Sequence, residues 1–199
     1  MTIMTGCNQS KDPLTHDEGV VINGVRWATR NVNMPGTFTE SLEDAGMLFQ
    51  WNRKKGWNAI DRYVEDWDTS SPTGTEWEIV NDPSPRGWRV PTIDEILSLF
   101  DREKVSWEWI RSEWLNPNEN AEGIKFTDII TGAYVFFPFV DNRWYRDGRL
   151  GRNVFSEYWS STLFCDWRSS AYSLGLSPGM QSTRGAEWRH AFSIRSVAK

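Results

Sequence analysis

Three carboxylates in the C-terminal part of the chain, Glu157, Asp166 and Glu187, are the side chains that could do acid–base chemistry. A glycoside hydrolase needs two carboxylates about 5–9.5 Å apart, one acting as acid and one as base or nucleophile. The residue types alone do not indicate such a pair, because any exposed loop offers as many carboxylates. The sequence has no HExxH, P-loop or GxGxxG motif and no Ser/His/Asp order. We therefore predict that the protein is not an enzyme and needs no cofactor.

Cysteine and histidine are too sparse to indicate a metal centre. The two cysteines, Cys7 and Cys165, are far apart, and His16 and His190 stand alone. A structural zinc site draws on closely spaced pairs of such residues, so no metal site is predicted. A disulfide between the two cysteines stays open.

Cys7 has a second interpretation. It ends the segment MTGC (4–7) and is followed by polar residues, as the lipidated cysteine of a bacterial lipobox is. The basic and apolar regions of a signal peptide are missing in front of it. Either the natural start lies upstream, or the chain begins inside the signal, or the match is coincidental. We interpret residues 1–18 as the end of a lipoprotein signal with a flexible tether, and 19–199 as one domain.

Aromatic residues are unusually numerous, with 13 Trp, 10 Phe and 5 Tyr. Most of these rings are expected in the core, where they replace aliphatic volume, but a minority could form a stacking surface for sugars or a partner. The net charge of -5 argues against nucleic acid as a partner. No apolar run approaches the ~20 residues of a membrane-spanning helix, so membrane contact is expected only through the lipid anchor.

Two helices are predicted to position the remaining elements. Thr92 and Glu95 form a capping box, and the apolar spacing that follows predicts a helix over 92–102. A second amphipathic segment covers 105–115, and 39–49 also has helical spacing. The long segment 50–85 has no period, and its own tryptophans are expected to pack it.

Strands are predicted on both sides of these helices. Residues 20–27 indicate an early hairpin, and 134–140 an apolar strand. Three further strands are predicted at 157–162, 171–176 and 190–197. They are separated by loops, and 143–153 is also interpreted as a loop.

Four segments carry a resemblance to a known family. They are GVRWATRNV (24–32), DPSPRGWRVPT (82–92), YWSST (158–162) and FSIRSV (192–197). In this order they resemble the Fibrobacter succinogenes major paralogous domain, found in surface lipoproteins of the Bacteroidetes and their relatives. The resemblance implies an α+β, C-type lectin-like fold. Two helices would lie beside a small, twisted, mostly antiparallel sheet with long irregular loops, and the N- and C-terminal strands would pair.

The resemblance also implies where a ligand would bind. In lectin-like receptors the ligand face is made by loops between the last strands, here 163–170 and 177–190, with the 142–146 loop at the rim. The candidate ligand-binding residues are Trp144, Tyr145, Asp166, Trp167, Arg168, Gln181, Arg184, Glu187 and Trp188. Tryptophan and arginine are typical of interface hot spots. The alternative is that Trp167 and Trp188 only cover the end of the sheet as ordinary packing.

Two activities found in lectin-like folds are not supported. Formylglycine-generating relatives use a cysteine pair near the C-terminus, where this chain has Cys165 alone. Calcium lectins carry EPN or QPD and WND triplets, and none is present, although a structural ion stays open. We expect an exported, lipid-anchored surface protein that binds a glycan or a protein. The alternative is a structural or adhesive subunit of a surface assembly, with an enzyme a distant third; the oligomeric state is not indicated.

Overall fold

The β-strand is the dominant element of this fold. The computed structural model describes residues 12–111, 122–151, 155–164 and 169–199. Within these ranges, fifteen strands form four sheets and there is a single α-helix, α1 (Ile93–Ser98), besides a 3-10 helix at Ile79–Asn81. The strands are β1 (Val20–Ile22), β2 (Val25–Trp27), β3 (Leu48–Gln50), β4 (Gly56–Trp57), β5 (Trp88–Arg89), β6 (Val105–Arg111), β7 (Glu122–Asp128), β8 (Tyr134–Pro138), β9 (Asn142–Arg143), β10 (Leu150–Gly151), β11 (Ser156–Leu163), β12 (Ser170–Ser177), β13 (Met180–Glu187), β14 (Ala191–Phe192) and β15 (Val197–Ala198).

The expected α+β class with two helices is therefore wrong. The second predicted helix, 105–115, begins as strand β6, which pairs with β7 along its whole length; residues 112–115 lie outside the described ranges. Exposure alternates from Val105 to Glu108, and the segment is rich in tryptophan and β-branched residues, which favour a pleated, half-buried surface. The predicted helix at 39–49 is also absent, since these residues form bends that lead into β3.

The first helix is confirmed at its start and is shorter than predicted. The Thr92 hydroxyl accepts from the Glu95 amide and the Glu95 carboxylate accepts from the Thr92 amide, which is the predicted capping box. The helix ends at Ser98 instead of 102. The backbone then turns, and the Asp101 carbonyl accepts from the amides of Lys104 and Val105, so β6 can start.

The first sheet has the order β1-β2-β15-β5 and joins distant parts of the chain. The predicted hairpin is confirmed, with Asn23 and Gly24 both at positive φ, as a tight primed turn requires. The predicted pairing of early and late strands is confirmed by Val197 opposite Trp27. However, the strand predicted over 190–197 is split into β14 and β15, which belong to different sheets. Backbone groups at Ile194 and Ser196 instead bond to the 28–32 segment.

A three-stranded sheet β11-β12-β13 and a five-stranded sheet β10-β9-β14-β3-β4 carry the C-terminal part of the chain. The predicted loop at 177–190 is wrong for most of its length, because β13 pairs with β12 in continuous register from Ser170 to Ser177. Gly179, at φ 76, makes the turn between them. The side chains of β13 are mostly small and polar, so no apolar alternation marks the strand in the sequence.

Aromatic rings fill the core, as predicted. One cluster surrounds Trp27, Phe126 and Phe137, and a second joins Trp51, Trp159 and Phe192 beneath β11 and β12. The segment 50–85 is packed by its own tryptophans, because Trp51, Trp57 and Trp77 are all buried. Among the described helices, none has the length and hydrophobicity to cross a bilayer.

Candidate functional site

The predicted binding residues fall into three groups in the structure. Asp166, Trp167, Arg168 and the lipobox residue Cys7 lie outside the described residues. Trp144 and Tyr145 follow β9, in the hairpin that returns as β10. The remaining four, Gln181, Arg184, Glu187 and Trp188, lie on β13 or directly after it.

Trp144 and Tyr145 pack against His190 in an aromatic group, here called the aromatic rim, in which Trp144 is exposed and the other two rings are partly buried. The His190 ring centroid lies 6.0 Å from that of Trp144 and 5.1 Å from that of Tyr145. The Trp144 side chain is 38% exposed. Trp67 supports the hairpin from behind, since its indole N–H donates to the Tyr145 carbonyl at 3.1 Å. The rings are therefore held by strands and packing, with one indole open to solvent.

Charged groups surround the Tyr145 ring. The guanidinium carbons of Arg146 and Arg189 each lie 5.4 Å from its centroid. The Arg189 Nε is also 2.7 Å from the Glu187 carboxylate, which fixes the side chain beside the rim. Tyrosine with arginine is the composition of energetically important interface residues.

His190 adds a hydrogen-bond acceptor to the aromatic rim. Its Nδ1 lies 3.2 Å from the Arg143 carbonyl, which can only accept, so this nitrogen carries the hydrogen. Burial lowers the pKa of His190 and favours the neutral ring. The Nε2 lone pair of a neutral ring protonated at Nδ1 can then accept from a ligand hydroxyl or amide.

Asn142 connects the aromatic rim to a neighbouring polar surface. Asn142 pairs with Gly151 across the hairpin, so a side chain at position 151 would lie on the same face of the hairpin as the Asn142 side chain. The Trp144 Nε1 lies 2.5 Å from the position that a Cβ at Gly151 would occupy. The absence of that Cβ lets the indole lie over the hairpin, beside the Asn142 amide.

The polar floor consists of Asn142, Glu157, Ser173 and Arg184, contributed by four strands. Asn142 Nδ2 donates to Glu157 Oε2 at 3.1 Å, and Ser173 Oγ donates to Oε1 at 3.3 Å. Burial raises the pKa of Glu157 to about 7, against the opposing effects of the Arg184 charge and the Ser173 hydrogen bond. Glu157 is therefore a half-buried carboxyl that can accept or donate a hydrogen bond near neutral pH.

Arg184 lies across β12 instead of pointing away from the sheet. Its Nε is 3.1 Å from the position that a Cβ at Gly175 would occupy, so a side chain there would require Arg184 to shift by a few tenths of an ångström. Its guanidinium carbon lies 3.8 Å from the centroid of the Phe155 ring. The predicted residue Arg184 thus belongs to the polar floor, where its charge acts on Glu157.

Two predicted residues lie apart from this arrangement. Trp188 is only 9% exposed and stacks on Trp51 at a centroid distance of 4.9 Å, so the structure places it in packing. Gln181 is three positions from Arg184 on β13, so its side chain points to the opposite face of the sheet. Sequence reasoning missed Asn142 and His190 as site residues and considered Glu157 only as one carboxylate among several.

The arrangement can bind a polar ligand with a flat apolar face. An exposed ring, a neutral imidazole, a partly exposed carboxyl and a guanidinium converge on one side of the two sheets, and the buried Asn142 amide holds the carboxyl. Among the described residues, no group of three His, Cys, Asp or Glu side chains could hold a metal ion. The resemblance noted above remains a prediction from its four segments, since no family model, curated protein or solved structure matches this chain.

Proposed function

We propose that this protein is a non-enzymatic binding module that recognises a glycan or a protein surface through the aromatic rim and the polar floor. The observation that carries this proposal is the exposed Trp144 indole beside the hydrogen-bonded Asn142–Glu157 pair. Ligand pockets commonly combine apolar or aromatic walls with a few placed polar groups that fix orientation.

A glycan is the ligand that this chemistry supports best. A sugar ring has an apolar face that can lie on an indole and hydroxyls that both donate and accept. The partly exposed Glu157 carboxyl and Arg184 guanidinium offer an acceptor and donors, and His190 offers a further acceptor. Asn142 is buried and holds the Glu157 carboxyl in place. Glu157 and Arg184 lie on strands, and two hydrogen bonds hold the Glu157 carboxyl, so little conformational freedom of that carboxyl is lost on binding.

The test is a glycan array followed by calorimetry on the purified chain. Wild-type protein is expected to bind a defined set of glycans, and Trp144→Ala to weaken binding about tenfold, as loss of one stacking contact would. Tyr134→Ala is the matched control, because Tyr134 is 44% exposed on β8, outside the site. No binding to any glycan, or equal losses in both variants, would contradict a glycan ligand and direct the search to protein partners.

A structural or adhesive role is the second candidate. The turn after β7 exposes Ile129 and Ile130 at 53% and 84%, close to Tyr134. Exposed apolar groups of this kind can be covered by another chain in an assembly. Light scattering of wild-type protein and of a double variant, Ile129→Ser with Ile130→Ser, tests this role. A concentration-dependent oligomer that the variant loses would favour it.

We also propose export and lipid anchoring through Cys7, on the sequence MTGC (4–7) alone. The natural full-length protein, expressed in its bacterium with a clickable fatty acid, should be labelled. Labelling should be lost in Cys7→Ser. An unlabelled wild-type protein would contradict the anchor.

A further inference from the structure

A cavity of about 490 Å³ lies beside β4 and contains none of the residues of the aromatic rim or polar floor. Its volume is in the range of small-molecule sites, about 300–1,000 Å³. Its walls combine apolar and acidic side chains, among them Met47, Trp57, Val64, Tyr63, Asp61 and Glu65. The cavity therefore offers aromatic, apolar and negatively charged contacts together.

The Trp57 ring in this cavity already holds a cation. The Lys55 ammonium lies 4.0 Å from the ring centroid, well within the range of a cation–π contact. The Trp67 ring supports Trp57, with centroids 4.8 Å apart. Trp57 is only 4% exposed, because Lys55 and its other neighbours cover it. The structure thus displays a cation-binding ring occupied by a side chain of the same protein.

The carboxylates of the cavity exceed its cations. Asp61 and Glu65 both line it, whereas Lys55 is its one basic lining residue. Within the described part of the chain, neither carboxylate is among the ion pairs closer than 4.0 Å. Asp61 Oδ2 accepts a neutral hydrogen bond from Asn58 Nδ2 at 2.9 Å. The Arg143 guanidinium behind the 58–61 turn also attracts Asp61, so the charges around the cavity balance when one cation, here Lys55, lies in it.

Arg143 fixes the turn that carries Asp61. Arg143, which is fully buried, donates from Nε and Nη2 to the Asn58 carbonyl and from Nη2 to the Asp61 carbonyl, at 2.7–2.9 Å. These bonds hold the 58–61 turn in place. The cavity is thus formed before a ligand arrives, and binding need not order the loop.

We propose that this cavity binds a small organic cation with a methylated ammonium group, which takes the place of the Lys55 ammonium on the Trp57 ring. A quaternary ammonium carries the same charge as lysine and has an apolar surface that can also contact Met47 and Val64. Recognition of such groups by aromatic rings is a recurrent use of the cation–π contact. Lys55 is then an internal occupant that a ligand displaces.

The experiment titrates the full chain with choline and, separately, with 3,3-dimethyl-1-butanol, its uncharged isostere. Binding is followed by calorimetry and by the indole N–H signals in NMR spectra, where the Trp57 signal is assigned from Trp57→Phe. Choline is expected to bind and to shift the Trp57 signal, and the alcohol is not. Lys55→Ala is expected to tighten choline binding about two- to fivefold, because the ring no longer has to be vacated.

Lys54→Ala is the matched control, since Lys54 is equally exposed and makes no ring contact. It should leave choline affinity unchanged. Both lysines are surface residues, so the comparison does not depend on a variant of the buried Trp57 that fails to fold. Equal binding of choline and the alcohol, equal effects of the two lysine variants, or no choline binding to Lys55→Ala would each overturn the proposal.

Discussion

The amide of Asn142 donates a hydrogen bond to the carboxylate of Glu157 at 3.1 Å, and this bond joins the β9–β10 hairpin to the β11-β12-β13 sheet. The exposed Trp144 indole lies at one end of this connection and the guanidinium of Arg184 at the other. A change in the charge of Glu157 therefore acts on the junction between the aromatic rim and the polar floor.

Glu157 is predicted to make the protein less stable as pH rises from about 4.5 to about 7. Burial raises its folded pKa to about 7 from 4.5, so between these values the folded state binds the proton that the unfolded state has lost. The free energy of unfolding should fall by about 2 kcal/mol across this window because of Glu157. Urea denaturation at pH 4.5, 6 and 8 measures the change.

The Glu157→Gln variant should show a flatter pH dependence than wild type, because its side chain does not titrate. Glu103→Gln is the control, since Glu103 is exposed and remote from the site. If Glu157→Gln retained the wild-type slope, the burial of Glu157 would not govern this part of the pH profile.

Trp188→Ala and Trp144→Ala should separate packing from binding. Trp188 is buried on Trp51, so its truncation should lower the free energy of unfolding by about 3–5 kcal/mol. Trp144→Ala should cost less than about 1 kcal/mol, because its indole is partly in solvent. Thermal and urea denaturation of both variants measure the difference. Similar losses in the two would show that Trp144 is also a packing residue.

Arg143→Met should destabilise the protein and loosen the walls of both candidate sites. The variant keeps an apolar stem but leaves the carbonyls of Asn58, Asp61 and Gly148 without their donor. Buried acceptors without partners cost about 1–3 kcal/mol each, so a loss of about 3 kcal/mol is expected. Faster amide hydrogen exchange at residues 58–61 and 142–151 would locate the effect, and unchanged exchange there would contradict it. Arg26→Met is the control, because Arg26 is exposed and bonds to a single carbonyl.

Thr92→Ala should cost about 1 kcal/mol and Thr92→Ser much less. The alanine removes the acceptor for the Glu95 amide at the start of α1, whereas serine keeps it. Urea midpoints of the two variants measure the difference. Equal losses would show that the Thr92 methyl group, and not its hydroxyl, supports the helix.

Local features were predictable from the residues themselves. Of the long-range pairings, only that between the early and late strands was expected, and the family resemblance implied it. The start of α1 is encoded by two residues three positions apart, and the β1–β2 turn by adjacent Asn23 and Gly24. In contrast, the spacing of apolar residues in β6 is compatible with a helix, and only the pairing with β7 makes the segment a strand. The polar residues of β13 identify a strand only when β12 lies alongside.

The candidate site follows the same rule. Residue type alone predicts Trp144 and Tyr145 as binding residues, whatever the position of their hairpin in the sheet. Asn142 and Glu157 meet across 15 residues, and His190 meets the Arg143 carbonyl across 47. Such contacts depend on the order of strands in the sheets, and the local sequence of each strand does not specify that order. Residue type predicts Trp188 as a binding residue, whereas its ring is buried, because tryptophan occurs both in packing and in binding.

The position of β15 has a consequence for how the chain acquires its structure. This strand lies between β2 and β5, with Val197 opposite both Trp27 and Arg89. The early hairpin and the segment before α1 therefore have no common strand until residues 197–198 have left the ribosome. Contacts across so many residues are closed slowly, because the entropy of a long loop is lost before they form. During synthesis, the β1–β2 hairpin thus lacks its neighbouring strand until a segment about 170 residues further along the chain has been made.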